Sequence, residues 1–224
     1  GDFASAYANR GTFHRRAGDA ALALSDYNKA VDLNPDYTFA YTNRATVHLL
    51  MGNLEMALAD LHRTIELDPA STSALVNRGI VLAANGKQAL AVQDFTRAIQ
   101  VDPTSLNAYM NRGSAYDDLG RYAEAVSDYG SALGLAPDSP NLYTNRGVSF
   151  HAAGELEKAL ADFESAIALD ATSAPAWYNL GVVHEDMGEH LRAVSDYGRA
   201  ISLDPDHIDS LLNRSLTYST LGDH

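Results

Sequence analysis

One asparagine returns every 34 residues along this chain, at Asn9, Asn43, Asn77, Asn111, Asn145, Asn179 and Asn213. A glycine keeps the same step at Gly18, Gly52, Gly86, Gly120, Gly154, Gly188 and Gly222. Two seven-membered series in one register restrict the chain to a tandem array of a single small unit. Numbered from Ala4, each unit also carries alanine at position 20 (Ala23, Ala57, Ala91, Ala125, Ala159, Ala193) and aspartate at position 23 (Asp26, Asp60, Asp94, Asp128, Asp162, Asp196). Six units run 4–37, 38–71, 72–105, 106–139, 140–173 and 174–207, and residues 208–224 repeat the first half of a seventh. The expected organisation is one array over residues 1–224.

Inside a unit the apolar spacing is helical, as in Leu22, Leu24, Tyr27, Ala30, Val31 and Leu33, and the periodic glycine separates two such stretches. Each unit is therefore two helices, the first ending where a left-handed backbone is cheapest at glycine. Pro35, Pro69, Pro103, Pro137 and Pro205 close their units because proline cannot continue a helix, with Ala171 the exception.

Position 4 reads Tyr7, Tyr41, Leu75, Tyr109, Tyr143, Trp177 and Leu211, position 8 reads Gly11, Ala45, Gly79, Gly113, Gly147, Gly181 and Ser215, and position 24 reads Tyr27, Leu61, Phe95, Tyr129, Phe163 and Tyr197. Large against small at fixed offsets is what interlocking helices require. With the turn glycines, this pattern resembles the tetratricopeptide repeat over nearly the whole chain. The resemblance implies an all-α fold, a right-handed α-solenoid of tandem helix-turn-helix 34-residue repeats. One departure recurs: position 7, a leucine in the family pattern, is Arg10, Arg44, Arg78, Arg112, Arg146 and Arg214, with Leu180 alone conforming. The recurring aspartate supplies a partner, so fork-type pairs are expected, either Arg10 with Asp26 or Asp26 with Arg44 of the next unit.

The resemblance also implies that the first helices line a concave groove, with positions 2, 5, 6, 9, 12 and 13 facing it and the seven asparagines at position 6. A carboxamide both donates and accepts, so it can hold the N–H and C=O of an extended peptide without reading its side chains. The asparagine ladder is similar to that in the superhelical repeats of O-linked N-acetylglucosamine transferase. Each backbone contact contributes only about 0.5–1.5 kcal/mol against roughly 1–2 kcal/mol for ordering a peptide residue, so selectivity must come from positions 12 and 13. These run from Arg15 and Arg16 through Leu49, Leu50, Ala83 and Ala84 to Asp117, Asp118, His151, Ala152, Glu185 and Asp186. A fitting ligand is extended, acidic near the first unit, apolar over the second and third, and basic over the fourth to sixth. Phe39, Met110 and Tyr178 are candidate apolar anchors at positions 2 and 5. The lysines of a carboxylate-clamp groove are missing from these positions.

Twenty-nine acids against 16 bases oppose nucleic acid and anionic membrane. Without cysteine there are no disulfides and no thiolate chemistry. His14, His48 and His184 fall at the packed position 11, and His184-Glu185-Asp186-Met187-Gly188-Glu189-His190 lacks the paired histidines of a zinc helix. No catalytic residues, metal or cofactor are expected, and neither a bilayer-spanning run nor a signal peptide is legible, so the chain is placed in the cytoplasm. Leu211, Tyr218 and Leu221 carry an apolar face into residues 208–222, which with the opening Gly1 reads as an excised piece of a longer protein or as an end that joins copies. Gly130 and Gly134 predict a mobile second helix in the fourth unit. The leading expectation is a non-catalytic scaffold for an extended protein or peptide segment. The alternatives are a self-assembling module and the substrate-presenting arm of a larger enzyme.

Overall fold

A computed structural model describes residues 3–222. Among them every repeat is a helix pair: α1 (Phe3–Arg16) and α2 (Ala20–Leu33), α3 (Thr38–Leu50) and α4 (Leu54–Leu67), α5 (Thr72–Ala84) and α6 (Gln88–Val101). The pattern continues with α7 (Leu106–Asp118) and α8 (Tyr122–Leu135), α9 (Pro140–Ala152) and α10 (Leu156–Leu169), α11 (Ala174–Asp186) and α12 (His190–Leu203). α13 (Ile208–Leu221) is the first helix of a seventh repeat. The chain divides into two compact units whose boundary, between Ala115 and Tyr116, falls inside α7.

The periodic glycines do what their spacing demands. All seven have positive φ, from +70° at Gly120 to +86° at Gly18, a region open to glycine at little steric cost. The reversal it allows lets the next N–H close the helix, as when Asp19 N–H donates to the His14 carbonyl at 2.9 Å. At the other turn a side chain helps: Asp170 Oδ1 accepts from the Thr172 N–H at 2.9 Å, which holds the turn at Ala171 without proline.

In the first unit Tyr27, Leu61 and Phe95 are fully buried between helices, Tyr27 clustered with Ala23 and Ala30, and Leu61 and Phe95 with Ala57, Ala91 and Ala98. In the second unit Phe163 and Tyr197 take the same place. A β-carbon at Gly79 would stand 2.5 Å from the Phe95 ring, and one at Gly147 2.7 Å from Phe163. Ala45 is tolerated at the same position where the facing residue is the smaller Leu61. α8 is an unbroken helix despite Gly130 and Gly134.

The units differ in charge. Of the 29 acids and 16 bases, eleven acids and ten bases precede Tyr116, leaving eighteen acids and six bases from Tyr116 onward. Nearly all the net negative charge therefore belongs to the second unit.

Candidate functional site

The position-6 asparagines lie in the first helix of each repeat, and none is buried: Asn9 and Asn145 are exposed, and Asn43, Asn77, Asn111, Asn179 and Asn213 are partly so. They are not equivalent. Nδ2 of Asn43, Asn111 and Asn179 donates back to the carbonyls of Phe39 (2.8 Å), Asn107 (2.7 Å) and Pro175 (2.8 Å) on their own helices. Asn213 reaches the preceding first helix instead, Nδ2 donating to the Tyr178 hydroxyl at 3.5 Å. The bonds of Asn43, Asn111 and Asn179 use neither Oδ1 nor the second amide hydrogen, so these three amides keep an acceptor and a donor, whereas Asn213 is also engaged by the Tyr197 hydroxyl.

The acids of position 12 depart from expectation. Asp117 accepts from Ser149 Oγ at 2.7 and 2.9 Å and from the Tyr129 hydroxyl at 3.1 Å. It is a half-buried tie between neighbouring first helices rather than an open groove acid. Burial pushes its carboxyl above the usual range, although both hydroxyls pull the other way. Glu185 repeats the arrangement, Oε2 accepting from Thr217 Oγ1 at 2.6 Å, with His190 Nδ1 3.2 Å from its Oε1. Both hydroxyls sit at position 10 of the following repeat, where the other repeats have Phe13, Val47, Val81, Ala115 and Val183. That pairing of an acid at 12 with a hydroxyl 32 residues on was legible in the sequence and not recognised. Asp118 and Asp186 remain exposed, the latter 2.6 Å from His151 Nε2.

The apolar candidates also divide. Phe39 is 41% exposed and Met110 partly so. Tyr178 is instead a packed bridge, its ring centroid 5.0 Å from His207 and 6.0 Å from Tyr197. Leu49 is half-buried and packs on the first unit's core. Leu50 and Arg16 are exposed, and Arg15 is half-buried.

Behind this face the arginines pair within their own repeat. Nε and Nη2 of Arg10, Arg44, Arg78 and Arg146 grip Asp26, Asp60, Asp94 and Asp162 as two-pronged forks at 2.6–2.8 Å. The preceding repeat is reached by the remaining corner: Arg44 Nη1 donates to Asn28 Oδ1 at 2.7 Å, and Arg112 Nη1 to Thr96 Oγ1 at 3.0 Å, both acceptors at its position 25. The guanidinium holds Asp26 below the usual carboxylate range, chiefly through the hydrogen bond from Arg10. Where Leu180 replaces arginine, His184 Nδ1 takes over the carboxylate of Asp196 at 2.6 Å. His48 and His184 are buried as expected, and His14 is half-buried. Among the described residues no three His, Asp or Glu side chains converge as a metal-ligand set, and no helix is long and apolar enough to cross a membrane.

Helix pairs repeated at 34 residues, with large-on-small packing between partners, define a helical repeat protein. Family models described as TPR repeat match residues 113–154 and 149–188, and models described as tetratricopeptide repeat match 4–37, 26–59 and 174–207. The chain belongs to the tetratricopeptide-repeat family. No curated protein matches it in sequence. Its fold is similar to that of YrrB, described as a TPR protein with an unusual peptide-binding site (24% identity, 84% of this chain and 97% of that chain, TM-score 0.71). It is also similar to MamA (21%, 77% and 94%, TM-score 0.68) and to pilF of Pseudomonas aeruginosa (17%, 95% and 96%, TM-score 0.81). At these identities the likeness is one of fold.

Proposed function

We propose that this chain, one array of 34-residue repeats over residues 1–224, is a non-catalytic scaffold that holds an extended peptide along its first helices. The observation that carries the reading is the row of seven asparagines, one per repeat and none buried, three of them with an acceptor and an amide hydrogen left over from their bonds to their own helices. The peptide-binding site named for YrrB supports it. The aspartates of the forks are committed to packing, so they are structural groups rather than acid–base catalysts. A cytoplasmic site of action belongs to the same reading. The test is retention of a random library of twelve-residue peptides by the wild type and by Asn111→Ala with Asn145→Ala. The double variant is expected to retain markedly less at unchanged helix content, and equal retention contradicts the proposal.

A second reading, assembly of copies through terminal helices, is favoured by exposed apolar groups there: Phe3 and Phe13 on α1, and Ile208, Leu212 and Leu216 on α13. Sedimentation that stays monomeric at high concentration contradicts it.

A further inference from the structure

Between α11 and α13 the first-helix face deepens into a pocket of about 200 Å³, lined by Val182, Glu185, Asp186, Tyr197, Asn213 and Leu216 together with Thr217. Its walls and rim differ chemically. Val182 and Leu216 are apolar, and Tyr197 is almost wholly buried beneath them. Two carboxylates belong to the rim: Glu185, fixed by Thr217, and Asp186, exposed and paired with His151. Asn213 brings the position-6 amide to the same place, turned toward Tyr178 rather than back onto its own helix. The pocket therefore joins a backbone-holding group to a side-chain compartment.

The occupant follows from this combination. An apolar side chain would cover two carboxylates and give them no counter-charge in return for lost water. An acidic or phosphorylated group would meet like charge, and eighteen acids against six bases from Tyr116 onward deepen that repulsion. A long cationic side chain satisfies both parts, since its methylenes rest on apolar walls while its charged head stays at the wet rim. We propose that the pocket between α11 and α13 receives a lysine or arginine side chain of an extended peptide whose backbone is held at Asn213. This rests on the peptide-binding reading and adds to it one position at which the scaffold reads sequence.

The probe is a library of twelve-residue peptides in which one position carries lysine, norleucine or glutamate in equal amounts. Norleucine has the lysine stem without the ammonium. On the wild type, lysine is expected to be enriched over norleucine by about tenfold, the worth of one charge-assisted contact, and glutamate to be depleted. In Glu185→Gln with Asp186→Asn the lysine enrichment falls to near one, and norleucine peptides are still retained. Leu216→Trp, which fills the pocket and leaves its charge intact, also removes the enrichment. Circular dichroism confirms that both variants remain helical. Retention without lysine preference, or equal preference in wild type and variants, overturns the pocket and spares the scaffold. Failure of the wild type to retain any peptide overturns the scaffold reading itself.

Discussion

Arg44 makes three separate contacts, two to Asp60 in its own repeat and one to Asn28 in the repeat before, with the guanidinium 5.3 Å above the Tyr41 ring. Removing the charge while keeping the stem, as in Arg44→Met, strands a carboxylate that is only 7% exposed. The expected cost is about 3 kcal/mol in urea unfolding, the low end for breaking a buried pair. Adding Asp60→Leu should recover most of it, and no recovery would mean that the fork does more than balance charge. Asp117 gives a pH prediction. Burial raises its folded pKa above the unfolded value near 3.8, so the folded state binds the proton more tightly and the ionised form costs stability once pH rises through the folded pKa. Asp117→Asn keeps an acceptor for Ser149 and Tyr129 without the charge. Its melting temperature relative to wild type should therefore be higher at pH 7.5 than at pH 4, and a pH-independent difference refutes this account. The sequence showed that arginine and aspartate would meet, but Arg10 and Arg44 lie at similar separations from Asp26, so the choice of repeat needed coordinates. The packing of Tyr178 was hidden for a related reason: its partners are Tyr197 of α12 and His207, the residue that caps the start of α13.

Helix pairs were the most legible level, because glycine at φ near +80° recurs once per repeat and aromatic-on-glycine packing recurs at Gly11, Gly79, Gly147 and Gly181. The same recurrence separates two kinds of glycine by what an added methyl would touch. At Gly134 a β-carbon meets nothing within 4 Å, and at Gly130 only the tip of Arg146, 3.8 Å away. Gly134→Ala should stabilise α8 by about 0.5–1 kcal/mol, the helix-propensity difference. Gly79→Ala, with the Phe95 ring at 2.5 Å, should lose about 1–3 kcal/mol to overpacking. Denaturant titration of the pair checks the assignment, and like-signed changes would contradict it. Gly130→Asn is of further interest, since it restores at position 25 the acceptor type that Asn28 offers to Arg44.

At the scale of the whole molecule the contrast is between a nearly neutral first unit and a second unit with eighteen acids and six bases. Self-repulsion of that density is screened by salt. Raising ionic strength should slow amide hydrogen exchange more in residues 116–222 than in 3–115, and uniform slowing would show that the charge asymmetry has no energetic consequence. The first unit offers a competing surface, Leu22, Met56 and Leu90 on the second helices, each about half exposed (52%, 54% and 47%). These two faces make the function decidable by one spectrum. When a dodecapeptide selected from the library is titrated into the protein, side-chain amide signals of Asn43, Asn111, Asn179 and Asn213 should shift and saturate together while the methyl signals of Leu22, Met56 and Leu90 stay still. Shifts confined to those methyls, with silent asparagine amides, would contradict recognition by the first-helix face.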